Sequence, residues 1–132
     1  MGEVLQVSSR LIVRKNNKVL MSQGDIGSIK FLGGRMKLGE VPEETAIREG
    51  REEAGITLLR PDHLYMLPYQ NNDPERPSFW FGANMPNLTI DSLVAGDDVL
   101  ALFLVDIVDV EARLTYPNWK EHWVKKLLPN LK

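Results

Sequence analysis

The sequence contains no cysteine, which excludes disulfides, thiol nucleophiles and cysteine-based zinc sites. It has little charge of one sign: 16 Lys and Arg against 18 Asp and Glu leave a net −2, with an isoelectric point near 5.7. Nothing in that balance would drive non-specific binding to nucleic acid or to an acidic membrane. Long apolar runs are missing as well. The longest, Val99 to Val105, falls far short of the ~20 residues of a membrane span. Met1-Gly2-Glu3-Val4 lacks the basic and apolar regions of an export signal, and Gln6 stands where a myristoylation signal needs Ser or Thr. The expectation is a soluble cytoplasmic protein with no nucleic-acid or membrane partner. Histidine is scarce too: His63 and His122 lie far apart with no partner pattern, and surface or packing roles are expected for both.

What is present is globular. Of 132 residues, 43% are apolar and 26% charged, which excludes disordered and fibrous classes and fits one domain over residues 1–132. Val4 to Arg14 partly alternates and reads as a strand; Asn16-Asn17 is a two-residue hairpin turn, and Val19 to Ser22 the return strand. Ile29 to Leu32 reads as a short strand running into Gly33-Gly34. Pro42 to Ala54 is the clearest helix, with Pro42 at its first position, Glu43 and Glu44 in its first turn and Gly55 at its end, but no capping residue at Val41. Leu64 to Leu67 and Ser78 to Ala83 read as strands around a Pro-rich surface loop, Pro68 to Pro77. Val99 to Ile107 reads as a strand buried on both faces. Asn118 to Leu128 reads as a second helix, with Asn118 and Glu121 resembling a capping box and Pro129 beyond its end. Strands flanking two separated helices indicate an α/β fold.

The first helix is unusually acidic. From Glu40 to Gly55 there are six Glu and two Arg, and Glu49, Glu52 and Glu53 stand at i, i+3 and i+4 on one face. Two carboxylates ~4 Å apart repel by roughly 4 kcal/mol at an effective dielectric of ~20, so folding alone gains nothing from the arrangement. A divalent cation would reverse the sign, and hard oxygen ligands favour Mg²⁺ or Mn²⁺ over Zn²⁺. The carboxylates alone leave a second reading open, a solvated acidic face with Arg48 paired to Glu52.

The spacing from the glycine turn is more specific. Gly34, Glu40, Arg48, Glu49, Glu52, Glu53, Gly55 and Ile56 fit eight of the nine specified positions of G-x5-E-x7-R-E-U-x-E-E-x-G-U, where U is a bulky apolar residue. In this box, residues 34–56, the sequence resembles the Nudix (MutT-like) hydrolases. Gly50 departs, standing where the family has a large apolar residue. Gly in a helix interior costs ~1 kcal/mol relative to Ala; here it either removes a core contact or lets another group approach closely.

The resemblance implies an α/β/α sandwich with a mixed sheet between helices, and a Mg²⁺-dependent hydrolase, with Mn²⁺ as substitute. Such an enzyme cleaves the diphosphate bond of a nucleoside diphosphate derivative: a dNTP, an NDP-sugar, ADP-ribose or similar. Its alternative is a non-catalytic nucleotide-sensing module. The implied metal ligands are Glu49, Glu52, Glu53 and the Gly33 carbonyl, with one carboxylate also positioning or deprotonating water. Arg48 would orient a carboxylate; Glu40 would brace the loop or bind a further metal less directly. Some family members take a base from a later loop, for which Asp97 and Asp98, and more weakly Asp73 and Glu75, are candidates beside the plain reading as turn residues. Arg35 and Arg76 are candidates for phosphate contact and Trp80, in the Phe79-Trp80-Phe81 cluster, for stacking a base. Core packing is the commoner fate of such aromatics and the expected one for Trp119 and Trp123. The partner implied is a nucleotide-type small molecule, and a homodimer is common in the family. Asn71-Asn72-Asp73 hold the place where the ADP-ribose and dinucleoside polyphosphate branches carry Pro or Tyr, so the box does not choose the substrate.

Overall fold

Strand β1 (Val4–Lys15) organises the computed structural model, which describes residues 4–24, 27–67 and 78–131. Leu11, Ile12 and Val13 are all fully buried, because side chains alternate across a strand and both faces of this one are covered. Leu11 and Val13 pack with Ala46 and Ala54 of the first helix, and Ile12 with Trp119 and Trp123 of the C-terminal helical segment. Two cores, one on each side of a single sheet, make the α/β/α sandwich expected from the sequence.

The sheet is mixed and forked. Along one edge β1 runs parallel to β6 (Ser78–Asn84), which in turn pairs antiparallel with β5 (Asp62–Leu67). Along the other edge, β1 pairs antiparallel with β4 (Leu32–Lys37) up to Leu11↔Leu32, and beyond that with β2 (Lys18–Gly24) at Arg14↔Val19. β2 carries β3 (Ile29–Lys30) on that same side and β7 (Val99–Asp106) on its other. Asn16, at φ 55°, makes the hairpin turn between β1 and β2, a backbone region that Asn tolerates better than most residues. Gly33 and Gly34 lie inside β4 rather than after a strand; with no side chains to alternate, they leave no pattern from which to extend it.

Helix α1 (Pro42–Ala54) spans the expected residues. Val41 makes no side-chain cap; Glu44 accepts the Val41 N–H at 2.9 Å, satisfying one of the donors a helix start leaves over. Gly55 ends the helix at φ 70°, ψ 22°, with its N–H on Arg51 O at 3.0 Å and that of Ile56 on Gly50 O at 3.2 Å. The buried face of α1 is Thr45, Ala46, Gly50 and Ala54, small residues that let the axis lie close to the sheet. Gly50 is part of that closeness: a Cβ there would stand 3.0 Å from Leu11 Cδ2. The missing apolar side chain is thus replaced from the sheet side by Leu11.

Three expectations about the C-terminal third change. β7 is not buried on both faces: of its residues only Val105 is buried and Leu100 is 66% exposed, because it pairs with β2 alone and the helices cover it incompletely. The final helix starts at Pro117, with Tyr116 as cap, so Asn118 lies inside it, and Glu121 pairs with Lys125 at 2.8 Å instead of closing a capping box. Pro117 sets the start, since its fixed φ suits a first helical position. Nor does Pro129 lie beyond the end. α3 (Pro117–His122) passes through a π-helical stretch, Trp123–Leu127, into α4 (Leu128–Leu131). There the Leu128 N–H reaches back to Trp123 O, a five-residue step that changes the hydrogen-bond register just before a residue with no N–H to donate. A 3-10 turn, Ile107–Asp109, and the short α2 (Val110–Arg113) join β7 to α3; the sequence reading had neither. The loop Pro68 to Pro77 lies outside the described residues. No helix among those described is long and apolar enough to cross a membrane.

Filling the Gly50 site should therefore overpack. Gly50→Leu is expected to cost ~1–3 kcal/mol, read from urea unfolding. Adding Leu11→Ala should recover part of that loss, although Leu11→Ala alone removes a buried side chain. Additive losses would show that Leu11 and position 50 do not share the space.

Candidate functional site

Arg48 is the centre of the polar structure around α1. Its side chain is 12% exposed and all five of its N–H groups are used. Nε donates to Glu40 Oε2 at 2.7 Å; Nη1 donates to Glu49 Oε1 at 2.9 Å and Glu52 Oε2 at 3.0 Å; Nη2 donates to Glu40 Oε1 at 3.1 Å and the Arg35 carbonyl at 3.0 Å. One cation thus ties three carboxylates of the box to each other and to β4. Glu40 receives the paired fork that guanidinium and carboxylate geometry favours, plus the Lys37 N–H at 2.8 Å and the Thr45 hydroxyl at 2.9 Å. The Arg48 hydrogen bond is the main reason its carboxyl is lowered from 4.5 to about 2, with the Lys37 and Thr45 bonds helping against the cost of burial. The same partnership raises the pKa of Arg48.

Glu53 faces the sheet. Its Oε1 accepts the Gly33 N–H at 2.7 Å. Burial, more than any other cause, pushes its carboxyl up from 4.5 to about 7. The Gly33 bond and the charges of Arg10 and Lys30 oppose that rise, and Glu49 adds to it. Two glycines make the approach possible. Gly33 has φ +142°, and a Cβ on it would collide with the Ser9 carbonyl and the Arg10 side chain. A Cβ on Gly34 would lie 2.5 Å from Glu49 Oε1, so the Glu49 carboxylate occupies the place of a side chain there.

Beside these residues an open cleft of about 400 Å³ is lined by Glu49, Glu52, Glu53, Gly96, Asp97, Asp98 and Val99. Residues from the box and from the loop before β7, far apart in sequence, meet here. All the acidic donors are carboxylates, the hard-oxygen chemistry that suits Mg²⁺ or Mn²⁺, and a cation would offset the cost of ionising the buried Glu53. Among the described residues, no three acidic or histidine side chains already converge as an ion would need. Arg48 holds one oxygen each of Glu49 and Glu52, and Gly33 one of Glu53.

Other sequence candidates fall elsewhere. Trp80 is corrected: it is fully buried, donates its indole N–H to Ser78 Oγ at 3.0 Å and packs edge-on against Phe31 and Trp119, so it presents no face for a base. Alternation sends it into the core under α3, and Phe31 and Trp123 complete the cluster. The Arg35 side chain is exposed, and its carbonyl is what the site uses. His122 is buried against Trp80, and its pKa is lowered, first by burial and then by Lys126. Asp73, Glu75, Arg76 and the side chain of His63 lie outside the described residues. The sequence reading missed Thr45, which supports Glu40, and Gly96, which lines the cleft; only the adjacency of Gly96 to Asp97 and Asp98 could have drawn notice to it.

Comparison with known proteins gives a consistent result. A family model, the NUDIX domain, matches residues 5–127. The 8-oxo-dGTP diphosphatase of Escherichia coli (strain K12) is 31% identical over an alignment of 85 residues that covers 58% of this chain and 63% of that protein. The chain therefore spans somewhat less than two thirds of that curated relative. The fold is shared with the MutT protein from Methanosarcina mazei Go1 (TM-score 0.72, 17% identity, covering 96% of this chain and 95% of that one). It is shared also with a bifunctional NMN adenylyltransferase/ADP ribose pyrophosphatase from Francisella tularensis, complexed with AMP and a Mn ion (TM-score 0.73, 18% identity, 100% and 43%).

The Arg48 network predicts a response to acid. Because the native Glu40 carboxyl ionises below its ordinary 4.5, its contribution to stability is full above about pH 4.5 and disappears as pH falls through about 2. Wild type should be more stable than Glu40→Gln at pH 6, and the gap should close on acidification through that window, measured by thermal unfolding. A gap independent of pH would mean that the carboxylate charge is not what Arg48 recognises.

Proposed function

Since the chain belongs to the Nudix family, whose domain model covers residues 5–127, we propose that it is a divalent-metal-dependent hydrolase of a nucleoside diphosphate derivative. The observation that carries this reading is the meeting of Glu49, Glu52 and Glu53 with Asp97 and Asp98 around one open cleft. Five carboxylates repel there, and a structural role alone gives no reason to gather them. The P–O–P bridge common to 8-oxo-dGTP and ADP-ribose, the compounds for which two of the similar proteins are named, is the substrate feature this reading needs.

In the proposed reaction a water oxygen bonds to one phosphorus of the bridge. The bond from that phosphorus to the bridging oxygen breaks, and the bridging oxygen leaves with the electron pair on the second phosphate. Mg²⁺ or Mn²⁺, when bound, supplies neutralisation of the diphosphate charge and a more acidic water. Glu49, Glu52, Glu53 and the Gly33 carbonyl are the residues assigned to hold it. Each of the three glutamates gives one oxygen to a hydrogen bond within the protein and has a second for a ligand. Arg48 fixes the backs of Glu49 and Glu52, and the Gly33 amide that of Glu53, which limits the reorganisation left for binding. The water proton goes to Asp97 or Asp98, carboxylates of the same cleft. A homodimer and a cytoplasmic setting remain part of the proposal.

The direct test is product release from a panel of dNTPs, NDP-sugars, ADP-ribose and dinucleoside polyphosphates, with Mg²⁺ or with EDTA. Turnover of at least one compound, abolished by EDTA, is expected. Binding without divalent-dependent turnover across the panel would instead indicate a nucleotide-sensing module. Glu52→Gln and Glu53→Gln should each lower turnover by about 10²-fold or more, equivalent to at least ~2.7 kcal/mol, while Glu43→Gln, on the same helix but outside the cleft, should cost little.

The same residues should link metal to stability. Millimolar Mn²⁺ should raise the unfolding midpoint by the amount its preference for the folded state dictates. Glu53→Gln keeps an oxygen for the Gly33 N–H and removes a buried charge. Without metal it should be no less stable than wild type at pH 8, and its Mn²⁺-induced rise should shrink. Equal Mn²⁺ shifts in the two proteins would remove Glu53 from the ligand set.

A further inference from the structure

The loop between the 3-10 turn Ile90–Ser92 and β7 is docked on the C-terminal end of α1 by backbone hydrogen bonds, with Leu93 packed on the core cluster that holds Ala54. The last carbonyls of a helix have no partner within it. In α1, that of Glu53 accepts the Gly96 N–H at 3.1 Å and that of Ala54 the Val94 N–H at 3.0 Å, while Val99 N–H closes back onto Gly96 O at 3.1 Å. Gly96 sits in the middle of this seat. A Cβ on it would collide with the Glu52 carbonyl oxygen and stand 3.3 Å from Glu53 Cα. Its φ is outside the left-handed region, so glycine is needed there for room and not for conformation. The peptide units against which it lies carry two of the cleft's three glutamates, and the next two residues along the loop are Asp97 and Asp98.

We infer that Gly96 is a positioning residue: its missing side chain lets the loop seat on the Glu52 and Glu53 peptides, and that seat fixes Asp97 and Asp98 across the cleft from Glu49, Glu52 and Glu53. The inference rests on the hydrolase reading above and adds to it a rigid coupling between the box helix and the later loop. A misplacement of about 1 Å in such a site can cost ~10²-fold in rate, and a Cβ at position 96 forces a displacement of that order.

The experiment is a double-mutant cycle. Gly96→Ala in the wild-type background should lower kcat about 10-fold or more with KM nearly unchanged. In an Asp97→Asn/Asp98→Asn background the same substitution should cost less than about 2-fold, because nothing is left to position. Equal fold-losses in the two backgrounds would show a structural effect only and overturn the inference, as would near-normal kcat in Gly96→Ala or in Asp97→Asn/Asp98→Asn. A second variant, one glycine inserted between Gly96 and Asp97, keeps the seat and moves the aspartates. It covers the case in which Gly96→Ala does not fold: loss of kcat with Gly96 amide exchange still protected supports the inference, and retained kcat overturns it. If the wild-type protein turns over no substrate, the hydrolase reading fails by itself. The cycle is then read in the Mn²⁺-induced rise of the unfolding midpoint, where the Gly96→Ala effect should again vanish once both aspartates are neutralised, and its persistence would overturn the positioning role.

Discussion

The order of the box carboxylates depends first on one guanidinium. The box brings Glu40, Glu49 and Glu52 within reach of a single cation, and Arg48 bonds all three with four of its five N–H groups. Without it these carboxylates would repel each other and swing into solvent, a cheap escape for Glu52, whose side chain is already 49% exposed. A lysine could not replace it, since an ammonium offers three donors from a point and no planar fork. The bond from Nη2 to the Arg35 carbonyl adds a mechanical consequence: the same residue that orders the carboxylates also fastens the helix carrying them to strand β4.

Glycine makes the second constraint, because the charged residues work only if α1 lies very close to the sheet and the loops. At Gly33 and Gly34 a Cβ would occupy backbone, the Arg10 side chain or the Glu49 carboxylate; at Gly50 it would press on Leu11; at Gly96 it would strike the Glu52 carbonyl. Gly50 lies on the buried face of α1 itself, Gly33 and Gly34 on the strand β4 beside it, and Gly96 at its C-terminal end. Packing of this kind is favourable only in one arrangement, since a helix that shifts by an ångström loses Leu11, the Gly33 amide and the Gly96 seat together. The geometry of the carboxylates is therefore set by backbone contacts as much as by the ion pairs between side chains.

Sequence carried the local parts of this structure well. Pro42 and Gly55 punctuate α1 at both ends, and Asn16-Asn17 marks a hairpin, because these residues act on their own backbone. It carried the contacts between distant segments poorly. Val99 to Ile107 reads as fully buried from its apolar run, yet the strand lies at an edge, and strand order is not written in any one strand. Trp80 reads as core more readily than as a stacking face, but only Phe31 and Trp119 beside it decide between the two. At Pro117 two local signals competed, and the fixed φ of proline outweighed the capping pattern of Asn118 and Glu121.

The site itself divides along the same line. Arg48 and the three glutamates of the cleft are legible because their spacing is a single helical pattern, closed by a glycine whose role is visible in one dimension. Asp97 and Asp98 are ambiguous in one dimension, since two aspartates before a strand are ordinary turn residues. What distinguishes them is the preceding Gly96, and its meaning lies in a contact with Glu52 across more than forty residues of chain. A helix end always exposes carbonyls that need partners; here the loop N–H groups that satisfy them also carry the second set of carboxylates into the cleft. Ending the box helix and completing the acidic wall are thus one structural event, which ties the stability of the helix terminus to the geometry of the site.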